Sequence, residues 1–286
     1  MDRLLSLLRS YARTPAHVPR NLAWRLPRTT SASRTVFVVG APRSGTSLVQ
    51  SVLATHSGLF SIPGETGLFS FQNIFGRRHF GLSWDENRAL FAASRDIVDF
   101  FDRAVGVLES RHPGRVFVEK TPQHVLRLRF LARRFPRARF VNVVRDGRDC
   151  FTSAKGHPGI PQAASPARFA RYWGRCVDAA LRMSGHPRLL TLRYEDLARD
   201  APRELARTMR FLALEAESEQ LDPARFGSHK RGRREEFLLL RSPISDGRVG
   251  RFRAELSAAE LRAFERVAGR QLRAHGYPLA GPGVDR

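Results

Sequence analysis

Residues Phe37 to Thr46 read FVVGAPRSGT. Together with Thr35 and Val36, the first part of this run has the length and β-branched content of a central parallel strand, and Gly40 to Gly45 follows at the spacing of a phosphate-binding loop. From Ser44 to Gln50 the pattern opens a helix. Such a turn points several backbone N–H groups and the positive end of a helix dipole at one spot, which is the physical basis of a phosphate or sulfate site. Gly40 and Gly45 permit the tight backbone path. Loops that serve nucleoside triphosphates follow the second glycine with Lys and then Ser or Thr, for the β/γ-phosphates and magnesium. Here that pair is Thr46-Ser47, and the positive charge sits inside the loop as Arg43. The motif predicts an oxyanion loop without the equipment for MgATP; the bland alternative is a βα turn that binds nothing.

Further strands are predicted at Arg115 to Val118, Arg139 to Val144 and Leu189 to Leu192. Thr121 as N-cap and Pro122 as first residue start a helix running to about Phe135, and Ser257 to Glu260 is a capping box for a helix reaching roughly Ala274. Ser57 to Arg115 is expected to contain helical stretches such as Trp84 to Leu108. Alternating strands and helices give an α/β fold, a three-layer arrangement with a central parallel sheet flanked by helices. Ligands of such sheets sit at the carboxyl ends of the strands. Arg43, Lys120, Arg145 and Tyr194 all fall at or just beyond such ends. The expected organisation is an N-terminal lead-in over residues 1–33 and one domain over 34–280, with a helical insertion at about 66–113.

With 286 residues and 42% hydrophobic content the chain can bury a substantial core, and no apolar run reaches the roughly 20 residues that span a bilayer. Leu4, Leu5, Leu8 and Tyr11 share a helical face among Arg3, Arg9 and Arg13. That face either packs on the domain or makes a weak contact with an anionic membrane surface. Cys150 and Cys176 are the only cysteines, and no Cys/His cluster has metal-ligand spacing, so no metal is expected and a reducing cytoplasm fits best. The net charge of +22 favours polyanionic ligands. The basic residues are dispersed and not interleaved with aromatics, so no specific nucleic-acid binding is read from them.

The motifs GAPRSGTSL, GET, EKTP, VVRDGRDCFTS, LRYEDL and VGRFRAEL, in this order over about Val36 to Tyr277, resemble a sulfotransferase of the tyrosylprotein and bacterial type. The resemblance implies a P-loop-like fold and 3′-phosphoadenosine 5′-phosphosulfate as cofactor, with a hydroxyl-bearing acceptor. It implies that Arg43, Ser44, Gly45, Thr46 and Ser47 hold the 5′-phosphosulfate. Arg145 and Ser153 would hold the 3′-phosphate, with Tyr194 near the adenine. Arg248, Gly250 and Arg251 resemble the loop closing over the 3′-phosphate, although Phe252 stands where the family often has Trp. Glu65 falls where the family places its catalytic carboxylate.

The residue types suit that chemistry. Sulfuryl transfer spreads negative charge over equatorial and leaving oxygens, which Arg43 and Lys120 can stabilise, while Glu65 can take the acceptor's proton. Each has a plainer alternative: Glu65 as a loop cap, Lys120 as a surface lysine, Arg145 and Arg148 as surface partners of Asp146 and Asp149. Glu119 points the opposite way from Lys120 and, like His56 and His124, reads as structural. Acceptor choice is assigned to the motif-free segments Thr66 to Pro113, Gly156 to Pro166 and Gly227 to Asp246, with Phe237 to Leu240 lining a pocket or packing. Two other functions stand beside this one: a P-loop kinase or nucleotide hydrolase, and a basic nucleic-acid-binding protein.

Overall fold

In the computed structural model, residues 12, 14–70, 73–226 and 242–280 are described. The helical face of Leu4, Leu5, Leu8 and Tyr11 with its arginines, and the stretch Phe237 to Leu240, lie outside them. Strands β1 (Val36–Gly40), β2 (Leu59–Ser61), β3 (Val116–Lys120), β4 (Arg139–Val144) and β5 (Leu189–Arg193) form one sheet in the spatial order β2-β3-β1-β4-β5, with every pairing parallel. β1 is central and fully buried, which is why its sequence is a continuous apolar run with no alternation.

Successive side chains of a strand point to opposite faces, and this separates two cores. Phe37, Val39, Phe117, Phe140 and Val144 face one side; Val36, Val38, Val118, Val141, Val143 and Leu192 face the other. The first face is covered by α3 (Trp84–Ala93), α4 (Ile97–Arg111), α5 (Leu128–Arg134), α6 (Gly147–Ala154), α7 (Pro166–Leu181) and α11 (Ala258–Ala274). The second is covered by α2 (Thr46–Thr55), α8 (Tyr194–Arg199) and α9 (Ala201–Leu212). α1 (His17–Trp24) and the short α10 (Phe252–Glu255) complete the set. Phe37 stacks between Phe140 and Phe101, with centroid distances of 5.5 and 5.6 Å. Each such buried ring contributes about 2 to 3 kcal/mol.

The predicted class matches this architecture, while several local readings change. β2 is an added edge strand. The stretch Trp84 to Leu108 is two helices, parted where Asp96 accepts from the N–H groups of Val98 and Asp99 and so starts α4. Thr121 caps nothing; its hydroxyl is engaged by Glu119, and the chain runs as a 3₁₀ turn, Pro122–Arg127, before α5. The lead-in is tied to the body, because Trp24 lies in the phenylalanine core and Asp96 accepts from Arg28 N, Thr29 N and Thr29 Oγ1. Cys150 and Cys176 are buried and free. Among the described residues no helix is long and apolar enough to cross a membrane.

Candidate active site

The carboxyl ends of β1, β3, β4 and β5 open into a cleft of about 550 Å³. Its lining includes Arg43, Gly45, Thr46 and Ser47 from the loop after β1, Glu65, Lys120, Arg145, Ser153, Tyr194 and Arg248. Four cationic side chains face the single carboxylate of Glu65 among these lining residues.

Loop geometry follows from two backbone demands. Arg43 has φ 68° and Gly45 has φ 98°. At Gly45 a Cβ would lie 2.6 Å from the Tyr194 ring, so the absence of a side chain lets the loop and the β5 terminus meet. α2 starts directly after, and its first-turn N–H groups have no intrahelical acceptor. Arg43 Nε donates to Ser153 Oγ at 3.0 Å. Ser44 is fully buried and does not line the cleft; its hydroxyl has no hydrogen-bond partner among the described residues.

On one side of the cleft the groups interlock. The Arg145 guanidinium lies 4.4 Å over the Tyr194 ring, donates to the carbonyls of Arg248 (2.6 Å) and Arg43 (3.4 Å), and leaves Nε without a partner among the described residues. Asp149, one turn on, accepts from Gly250 N at 2.7 Å and Phe252 N at 3.0 Å. These contacts fasten residues 248–252 to β4 and α6. Burial pushes the Asp149 carboxyl up, outweighing the two backbone donors. Glu195 is raised by burial as well, although it accepts from Asp146 N and Tyr277 OH at 2.9 Å each.

The surface-pair alternative for Arg148 is overturned. Its side chain is 2% exposed and makes a two-pronged pair with Asp146 (3.0 and 2.6 Å), with further bonds to Glu265 (2.5 Å) and Pro278 O (2.9 Å). Phe252 lies 4.0 Å beneath that guanidinium. Gly147 makes the convergence possible, since a Cβ there would sit 2.6 to 2.7 Å from Trp173 and Phe264.

The other side is simpler. Lys120 Nζ donates to Glu65 Oε1 at 2.7 Å, the lysine 5% and the glutamate 39% exposed. Glu119 points away into the phenylalanine core, and His56 bonds Glu215 O at 3.0 Å, away from the cleft.

Sequence reasoning thus named Arg43, Gly45, Thr46, Ser47, Glu65, Lys120, Arg145, Ser153, Tyr194 and Arg248, all of which the fold gathers at the cleft. Gly250 and Arg251 are not among the lining residues; Gly250 is held by Asp149, and Arg251 pairs with Glu255 at 2.7 Å. Residues missed are Pro42, Leu48, Gly64, Pro122, Gln123, His157, Gly159, Ile160 and Ser242 to Ser245. Of these, His157, Gly159, Ile160 and Ser242 to Ser245 fall within two of the segments assigned to acceptor choice. No described residue of the third, Thr66 to Pro113, lines the cleft. Among the described residues no group of three or more His, Cys, Asp or Glu is placed to hold a metal ion.

A parallel α/β sheet with a glycine-bearing βα loop and a cation-lined cleft at the strand ends is the class that fold and site define. The chain belongs to the sulfotransferase family, whose sequence model matches residues 35–218, and it is a sulfotransferase, an enzyme of the transferase class. The fold resembles the sulfotransferase domain of the Synechococcus PCC 7002 olefin synthase, with 22% identity, TM-score 0.65, and 90% of this chain and 99% of that one covered. It also resembles sulfotransferase STF9 from Mycobacterium avium, with 16% identity, TM-score 0.56 and coverages of 98% and 83%. A third likeness is to mouse sulfotransferase SULT7A1 complexed with PAP, with 14% identity, TM-score 0.53 and coverages of 90% and 91%.

Proposed function

We propose that this sulfotransferase moves a sulfuryl group from 3′-phosphoadenosine 5′-phosphosulfate to a hydroxyl acceptor by in-line displacement. The observation that carries the reading is the convergence of Arg43, Lys120, Arg145 and Arg248 on one cleft whose described lining residues include a single carboxylate, Glu65. That balance suits a ligand with several negative charges and leaves one side chain free for proton work. Arg145 Nε, buried at the cleft and without a protein partner among the described residues, is a further donor suited to an anion. The likeness to a mouse enzyme crystallised with PAP agrees with this choice of donor molecule.

When bound, the donor supplies the sulfuryl group itself. The α2 N-terminus with Arg43, Thr46 and Ser47 is assigned its phosphosulfate; Arg145, Ser153 and Arg248, its 3′-phosphate; Tyr194, its adenine. Lys120 supplies a cation and hydrogen-bond donor for the departing bridging oxygen, and the Glu65 carboxylate, whose Oε1 accepts from Lys120, takes the acceptor's hydroxyl proton. One charged donor of this kind is worth roughly 3 kcal/mol of barrier.

The test is calorimetric titration with adenosine 3′,5′-bisphosphate, compared with ATP with and without magnesium. The expected result is micromolar, magnesium-independent binding of the bisphosphate and weak binding of ATP. Magnesium-dependent ATP binding with no preference for the 3′-phosphate would overturn the assignment of the donor.

A further inference from the structure

The loop bearing Glu65 is fixed from behind by a buried polar cluster on the opposite face of β3. Glu119 is fully buried, and its Oε1 accepts from Thr66 Oγ1 and Thr121 Oγ1, each at 2.7 Å. Its Oε2 meets His124 Nδ1 at 3.0 Å. Phe69 N donates to His124 Nε2 at 3.2 Å, so the ring proton sits on Nδ1 and points at Glu119. Gly67 N donates to Thr121 Oγ1 at 3.0 Å, and Leu68 N to Thr66 Oγ1 at 3.4 Å. Four consecutive residues, 66 to 69, are therefore tied to one carboxylate or to the groups it orients. Burial alone would raise the Glu119 carboxyl, but His124, Thr121 and Thr66 outweigh it and hold the group below its ordinary range, as an ionised acceptor.

Lys120 neighbours Glu119 in the same strand and points to the other face, where it meets Glu65. One end of β3 thus holds both ends of the problem: Lys120 grips the Glu65 side chain, and Glu119 grips the backbone that follows it. Glu65 itself is 39% exposed, with Lys120 as its hydrogen-bond donor. Without the anchor, its carboxylate would be set by the Lys120 contact alone. A displacement of about 1 Å at a reacting group costs on the order of a hundredfold in rate.

We propose that Glu119, with Thr66, Thr121 and His124, is a positioning cluster that aims Glu65 into the cleft. This rests on the reading of Glu65 as the proton acceptor. Thr66→Val is the informative substitution because it removes the hydroxyl at nearly constant volume, and Thr66→Ser restores it. The first readout needs neither donor nor acceptor: amide hydrogen exchange of the free protein. Thr66→Val is expected to speed exchange at residues 67–69 about tenfold, with β1 and β4 unchanged, and Thr66→Ser to reverse this. The second readout is turnover, followed as adenosine 3′,5′-bisphosphate released with phenol, whose hydroxyl keeps its proton at neutral pH, as acceptor. There kcat falls at least tenfold in Thr66→Val while the KM for the donor stays within about twofold. Placed on top of Glu65→Gln, Thr66→Val should cost nothing further, as expected of residues acting as one unit.

Unchanged exchange at 67–69, or a loss that adds fully to that of Glu65→Gln, would overturn the positioning role. So would full turnover in Thr66→Val beside an inactive Glu65→Gln. Full turnover in Glu65→Gln itself would remove the base reading, and the proposal with it. The two failures are separated by that single variant.

Discussion

The two sides of the cleft are built on different plans. Around Arg145 and Arg148 the chain uses buried, multiply bonded charges: Arg148 is shared by Asp146, Glu265 and Pro278 O, and Asp149 and Glu195 each collect two donors. Around Glu65 there is one ion pair, half open to water, and the rigidity is moved to a cluster behind the loop. A wall that must hold a multiply charged ligand gains from groups that do not shift when the ligand arrives. A proton acceptor has to meet an incoming hydroxyl and so has to be reachable.

The contrast is broken most severely by Glu65→Gln, expected to lower turnover about a thousandfold, about 4 kcal/mol of barrier, while bisphosphate affinity stays within about twofold. Steady-state kinetics beside calorimetry measures both. Arg148→Ala should do the reverse: it leaves Asp146 and Glu265 buried without their partner and lowers folding stability by about 3 kcal/mol or more, read from denaturant unfolding. Arg145→Ala is smaller, about a 20-fold loss of bisphosphate affinity, since a charge-assisted contact is worth about 2 kcal/mol.

Asp149→Asn sharpens the comparison through pH. The folded protein keeps the Asp149 proton to higher pH than the unfolded chain does, because burial raises its pKa. From about pH 4 upward to that raised value, stability therefore falls as pH rises. The variant should flatten this slope in melting temperature against pH, and an unchanged slope would show that other groups dominate it. Glu119, whose pKa is lowered, has the opposite sign: its contribution is full above the ordinary range and lost on acidification below it. The smallest effect is expected for Arg251→Ala, whose exposed pair with Glu255 is worth less than about 0.5 kcal/mol of stability.

Much of the framework was legible because it rests on local signals. β4 was read with its exact ends, and the capping box at Ser257 delivered α11. Convergence of Arg43, Lys120, Arg145 and Tyr194 followed from one rule about strand ends. What escaped had no local signature of its own or depended on a partner the pattern does not reveal. β2 has three residues, too few for a period to show. Thr121 looked like a cap until Glu119 claimed its hydroxyl. Arg148 looked like a surface charge because Glu265 and Pro278, which bury it, come more than a hundred residues later. Asp96 was the exception, a serviceable N-cap signal inside a stretch read as continuous helix.

The position of β1 bears on the order in which the protein can assemble. The oxyanion loop lies near the start of the chain, yet β1 is flanked by strands beginning at Val116 and Arg139, and the Tyr194 ring that packs on Gly45 comes later still. During synthesis, a nascent chain ending before Arg139 contains the entire motif and lacks a neighbour on one side of its strand. Closing such long loops costs chain entropy before any contact repays it, which places this fold among the slower ones. The earliest-made part of the cleft is thus among the last to take shape, and until then its strand has one open apolar edge in need of protection from other chains.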